Sequence, residues 1–242
     1  MEIKKFGTIY LDGWPYKPGT QYDGEVLSIR DSVPDRSIPF VKWKNLWVAS
    51  QCACFNTTWL ALDHFDFIYG HPVKIDGKSY LCRSLKVGSE EGVPNEWDNI
   101  IDEFGEDNEL WNWKESAFWG QEHITQNGKP IPYIYASRGF SSARSWYNGP
   151  PDEKEPFIGF RPVLEPLPRG VKVSRSLTGS TVRVYGPVGS LYGRLLDYNE
   201  YDLFLESPDG DNLPSDFNWA ITDGPRITID RSSVVWMRKW AC

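Results

Sequence analysis

The side chains able to do chemistry are few and scattered. The three histidines are His64, His71 and His123. An imidazole metal centre needs ligands one helical turn apart, alternate along a strand, or otherwise closely spaced. His64 and His71 are seven apart, which suits neither helix nor strand chelation, and His123 is remote. Cys52, Cys54, Cys82 and Cys242 contain no Cys-x-x-Cys pair. Cys52-Ala53-Cys54 would put two thiols on one face of a strand, as a vicinal site or, more commonly, as two buried free cysteines. Hard oxygen ligands gather at Asp102, Glu103, Glu106 and Asp107, a set whose ordinary role is a solvated acidic face. There is neither a Gly-rich phosphate loop nor a nucleophile elbow. The expectation is a protein that is not an enzyme, with no metal and no cofactor.

The chemistry that remains is recognition. Arg144-Ser145-Trp146-Tyr147-Asn148 combines a planar fork of donors, two flat aromatic surfaces and an adaptable amide, with Arg138 just upstream. Trp146 and Arg138 also read as struts of the fold, whereas Tyr147 and Asn148 read as surface. Twelve Trp, twelve Tyr and twelve Phe serve equally an aromatic-rich core and an aromatic-lined ligand surface.

The elements that must hold these residues are short. Ile3–Leu11 reads as one strand, and Val41–Ala53 as another, rich in Val and Trp. Asn56 or Thr57 is placed to cap a short helix through Leu62. Residues 72–83 form two alternating runs around Asp76-Gly77, a hairpin. Trp97, Ile100, Ile101 and Phe104 fall at i, i+3, i+4 and i+7, an amphipathic helix capped by Asn95. Loop is expected through Gly128, then a short strand at Tyr133–Ala136, irregular chain over 137–157, and one core strand from Ile158 to Leu164. Pro166-Leu167-Pro168-Arg169-Gly170 is the best boundary. Beyond it, five strand candidates (Val182–Tyr185, Leu191–Leu196, Leu203–Glu206, Ile227–Ile229, Val234–Met237) suggest a small barrel.

The net charge of −7 speaks against a general nucleic-acid footprint. Met1 to Gly7 has no apolar run behind its lysines, so no signal peptide is expected. No run of about eighteen apolar residues reads as a membrane span. The cysteines do not form a disulfide framework, and a cytoplasmic location is expected.

Residues 136–165 carry a resemblance. Arg138-Gly139, Ser145-Trp146 and the closing Gly159-Phe160-Arg161-Pro162-Val163 resemble the C-type-lectin-like fold in its formylglycine-generating-enzyme branch, which includes the variable ligand-binding proteins of diversity-generating retroelements. The resemblance implies a lectin-like fold over roughly residues 40–166. It also implies a ligand surface at the loop before the closing strand, and so at Arg138, Arg144, Trp146, Tyr147 and Asn148. Copper enzymes of that branch use two cysteines late in the domain, and none lies in 136–165. The iron enzymes use a histidine set that is missing here. The calcium-dependent lectin pattern is scrambled in Pro94-Asn95-Glu96-Trp97-Asp98-Asn99.

Residues 177–238 resemble Sm-like barrels in Val182-Arg183-Val184, in Gly193 to Glu206 and in Ile229 to Val235. Asn199 and Tyr201-Asp202 stand where that family has Asp and Met-Asn, and Arg231-Ser232 where it has Arg-Gly. These are the family's RNA-pocket positions. From 170 onward eight basic residues face nine acidic ones.

The fold class expected is α+β: an N-terminal extension over 1–40 packed on the main domain, a C-type-lectin-like ligand-binding domain over 41–166, and an Sm-like barrel over 170–242. The function expected is capture of a protein or small polar ligand. Two alternatives remain, an RNA-associated scaffold and a metal-dependent enzyme of the formylglycine-generating type. The combination also fits a phage or mobile-element product.

Overall fold

The computed structural model of the protein describes residues 1–167, 173–207, 213 and 217–240. It divides the chain into two units, Met1–Pro166 and Leu167–Cys242. Of the expected boundary segment, residues 168–170 lie outside the described residues.

In the first unit the strands are β1 (Ile3–Leu11), β2 (Trp14–Tyr16), β3 (Thr20–Gln21), β4 (Leu27–Arg30), β5 (Ser37–Trp43), β6 (Leu46–Ala49), β7 (Cys54–Phe55), β8 (His71–Ile75), β9 (Lys78–Arg83), β10 (Ala117–Gln126), β11 (Lys129–Gly139), β12 (Ile158–Phe160) and β13 (Val163–Pro166). The helices are α1 (Trp59–His64), α2 (Glu96–Phe104) and α3 (Asn108–Trp111). An eight-stranded sheet runs β2-β1-β5-β6-β13-β9-β8, with β4 pairing β1, and a five-stranded sheet runs β11-β10-β12-β7-β3.

Local chemistry explains most of these elements. Asp76 and Gly77 take φ of 50° and 76°, the double left-handed geometry of a tight primed turn, and fold β8 onto β9. Asn127 and Gly128 do the same between β10 and β11, so the loop expected there is a hairpin of ten- and eleven-residue strands. Val41–Ala53 is likewise two strands, because Lys44 at φ 53° reverses the chain and Val41 then faces Val48. The α2 helix buries Trp97, Ile100 and Ile101, and the Asn95 side chain accepts from Asp98 N at 2.8 Å. The cap of α1 is Thr58, accepting from Ala61 N at 3.0 Å. The expected cap Asn56 instead donates to Tyr22 O at 3.1 Å.

Two expectations are corrected by strand pairing. Residues 1–40 supply β1 to β4 and the start of β5, and Ile9, Leu27, Ile29 and Ile38 are buried in the same core as Phe40, Trp47 and Phe160. They are part of the main sheet and not an extension laid on it. The closing strand is also split. Arg161-Pro162 carries the chain from β12, which lies between β10 and β7, to β13, which lies between β6 and β9. Pro162 has no N–H to give to a ladder, so pairing breaks there.

The second unit holds β14 (Thr181–Tyr185), β15 (Ser190–Tyr198), β16 (Asp202–Glu206), β17 (Ala220–Asp223), β18 (Arg226–Asp230) and β19 (Trp236–Lys239) in the order β17-β18-β16-β15-β14-β19. A register shift between Leu195 and Asp197 bends β15. Val182, Val184, Leu195, Leu203, Leu205, Ile227 and Ile229 form its core. The chain is therefore strand-rich, with three short α-helices among the described residues.

Candidate functional site

The segment from Phe140 to Phe157 connects β11 to β12, and β11 holds it like a broken extra strand. Tyr147 N donates to Ser137 O at 3.1 Å, and the Ser137 hydroxyl donates back to Tyr147 O. Tyr135 N donates to Gly149 O at 2.8 Å, and Gly139 N to Ser145 O at 3.0 Å. The entry to the segment is tight. Gly139 has φ 112°, and a Cβ there would run into Ser116 O. Phe140 follows at φ 78°, a conformation bulky residues rarely adopt. Its place is held by Phe140 N donating to Trp113 O at 2.9 Å. The exit is held by Pro151 O, which accepts from Leu60 N at 3.0 Å, and by Pro156 O, which accepts from Gln21 Nε2 at 3.0 Å.

Arg138 lies inside and not at the surface. It is 2% exposed, forms an ion pair with Asp98, and donates Nη1 to Val87 O at 3.1 Å. Its guanidinium lies 4.2 Å from the Trp146 ring centroid. Burial lowers its pKa, and Asp98 opposes that shift. Glu122 stands on the neighbouring strand β10. Burial holds its carboxyl above the usual range, against a hydrogen bond from Val87 N at 3.0 Å. The expected ligand contact at Arg138 is thus corrected to a strut, and half-buried Trp146 is the lid over it.

Arg144 presents its fork to the protein. Nε donates to Glu106 Oε1 at 2.7 Å and Nη2 to Asp102 Oδ1 at 2.6 Å, while Nη1 is 3.7 Å from Asp98 Oδ1. The acidic face of α2 is accordingly not simply solvated. Asp102 and Glu106 clamp the segment, and Glu103 accepts from Trp43 Nε1 at 2.9 Å.

Tyr147 and Asn148 stand closer to the expected role. Asn148 is exposed. Tyr147 is half-buried and turns to the opposite side from Trp146, with its ring 5.1 Å from Phe157 and 6.2 Å from Phe140. Burial, then the carboxylates of Glu153 and Glu155, raises the pKa of its hydroxyl. Glu153 Oε2 is buried over Gly149 with no hydrogen-bond partner among the described residues. Burial and the nearby Glu155 and Asp152 raise the Glu153 pKa. Sequence reasoning missed Phe140, Phe157 and Glu153. The positional signal was the Gly139-Phe140 pair at the end of a strand.

Three further features were not legible as chemistry. Trp59, Tyr135 and His123 pack in tilted contact, with the Tyr135 ring centroid 4.0 Å from each of the other two. Arg161, fully buried, donates to Ala49 O at 3.1 Å and Trp111 O at 2.7 Å and lies 4.6 Å from the Phe118 centroid. Cys52 and Cys54 are both buried and free, and they fall in different cores because the chain bends at Ala53.

Among the described residues no group of three or more His, Cys, Asp or Glu is arranged to hold a metal, and no helix is long and apolar enough to cross a membrane. Set against known proteins, the chain matches no family profile, no curated protein and no solved structure.

Proposed function

We propose that residues 41–166, with the strands supplied by 1–40, act as a non-catalytic binding module of the C-type-lectin-like kind. Its recognition surface is the segment before the closing strand. The observation that carries this reading is the mounting of that segment. An irregular stretch is bolted at its entry, middle and exit to β11, α1 and α2, while Asn148 and one edge of Tyr147 stay open. Rigid support beneath adaptable polar and aromatic groups is what a recognition surface needs. The roles within the expected site divide accordingly. Arg138, Arg144 and Trp146 position, and Tyr147 and Asn148 contact. Glu153 Oε2, without a donor among the described residues, favours a protein or small polar ligand that brings N–H or O–H groups.

The test is a Tyr147→Ala/Asn148→Ala double variant, compared with Tyr201→Ala in the second unit. Mass spectrometry identifies what co-purifies with wild type, and titration of that compound or protein follows. The double variant should keep its fold and lose more than about tenfold in affinity, the scale of one truncated hot spot. Equal binding by the double variant sinks the reading.

A second reading is an RNA-associated scaffold built on an Sm-like second unit. Here the substituted motif positions meet. Arg231 Nη1 donates to Asn199 O at 2.7 Å, Arg231 N donates to Tyr201 O at 2.8 Å, and the Tyr201 ring is exposed. The near-balanced charge of this unit weighs against phosphate binding. Submicromolar, salt-sensitive binding of a uridine-rich oligomer, lost in Arg231→Gln, would promote this reading over the first.

A further inference from the structure

The eight-stranded sheet curls until its two ends face each other. β4 pairs only with β1 and β8 only with β9 among the described strands, so each keeps one free edge. Cα atoms of the two strands come within 8 Å, yet no ladder joins them. One end of this seam is pinned. Ser32 donates its N and Oγ to the Asp76 carboxylate at 2.9 and 2.5 Å, and Asp76 N donates to Asp31 Oδ1 at 2.6 Å. Further along, the seam opens into a pocket of about 460 Å³ lined by Leu27–Arg30, His64–Phe67 and His71–Lys74. That volume lies in the roughly 300–1,000 Å³ range of small-molecule sites. The gap is too narrow for an added peptide strand, because ladder neighbours lie about 4.8 Å apart and an inserted strand needs twice that.

The pocket's chemistry follows from strand alternation. Leu27 and Ile29 are buried, which puts Ser28 and Arg30 on the other face of β4. Around the two-residue turn, Ile75 and Lys78 are the hydrogen-bonded pair, so along β8 the main-chain groups of Pro72 and Lys74 turn to the seam. Proline suits such an edge because it has no N–H to pair. Arg30 and Lys74 therefore stand on two facing edges. Arg30 donates Nε to Ser28 Oγ at 3.1 Å and its guanidinium lies 5.2 Å from the Tyr10 ring centroid on β1, and neither cation has a carboxylate partner among the described residues. The acids close by are otherwise engaged. Asp31 and Asp76 bind Ser32 and main chain at the pinned end, and Asp66 is buried with a contact of its own. Two cations without a carboxylate partner among the described residues on one pocket, in a chain of net charge −7, form a local inversion of sign.

We propose that this pocket binds a small multivalent oxyanion, a phosphoester or a polycarboxylate, between Arg30 and Lys74, with His64 at its rim and Lys74 N–H as a further donor. The site is separate from the segment before the closing strand.

Pyrophosphate and citrate are the probes, titrated into the full chain with amide resonances followed by NMR. Saturable binding of either should shift Ser28, Arg30, Val73 and Lys74. An Arg30→Gln/Lys74→Gln variant, altered only at exposed positions, should bind at least roughly tenfold more weakly with an unchanged melting temperature. Lys129→Gln, at the exposed β10–β11 turn, should bind as wild type. The proposal is overturned if neither anion saturates at millimolar concentration, if the double variant binds like wild type, or if Lys129→Gln weakens binding as much as the double variant.

Discussion

Arg144 and Glu106 are joined across 38 positions of sequence by a 2.7 Å hydrogen bond from Nε to Oε1. With the Asp102 bond beside it, this contact fixes the middle of the 140–157 segment to the end of α2.

Arg144→Ala should therefore act on local order more than on global stability. Partly exposed ion pairs contribute about 0.2–1 kcal/mol each, so the whole-chain loss should stay near 1 kcal/mol. Hydrogen exchange should accelerate at Ser141–Gly149 while the amides of β10 keep their protection. Unchanged exchange in that segment would show that the clamp does not hold it.

Arg161 has no carboxylate partner among the described residues and rests on three carbonyls and two aromatic faces. Burial pushes its pKa down to about 10, which still leaves it charged at neutral pH. Arg161→Ala would empty the centre of a packed core and strand Ala49 O and Trp111 O, at about 3–5 kcal/mol. Arg161→Met, which keeps much of the volume, should cost less than half of that. Urea unfolding of the two variants checks this, and equal losses would mean that packing volume is not what Arg161 supplies.

Burial raises the pKa of Cys52, Cys54 and Cys82, and pushes that of Tyr22 up to about 12, with Asp12, Cys54 and Glu25 adding to it. The native state holds these protons more tightly than the unfolded chain does. Their contribution is thus complete below the unfolded values of 9.0 and 10.0 and is lost as pH rises through them. A Cys242→Ser protein should show no rapid reaction with a thiol reagent at pH 8, three thiols reactive on unfolding, and a steep fall in stability above pH 9. Prompt native labelling at pH 8 would contradict the burial of these thiols.

What could be read from the chain was local. The α2 helix carries its cap, its period and its acidic first turn within ten residues, and the β8–β9 turn sits in one dipeptide. Asn127-Gly128 was an equally strong turn signal, masked by the polar residues around it. The two strands at Val41–Ala53 read as one, because their reversal depends on Lys44 taking a conformation unusual for its type. The role of Arg144 was hidden for another reason. Its partners lie 38 and 42 residues away, and nothing in Arg-Ser-Trp-Tyr-Asn distinguishes a donor reserved for a ligand from one that closes on a helix.

The split closing strand bears on the timing of folding. β12 and β13 fall within nine positions at the end of the unit, yet each is an interior strand of its sheet. Val163 meets Val48 and Gly159 meets Phe55, partners more than a hundred residues earlier. A chain emerging from the ribosome can form the hairpins and α2 as it goes, but the five-stranded sheet cannot become continuous until β12 has appeared, nor the eight-stranded sheet until β13 has. Any nascent or truncated chain ending before Ile158 would carry two interior gaps, with unpaired strand edges on both sides of each, which makes this the stage at which misassembly is most costly.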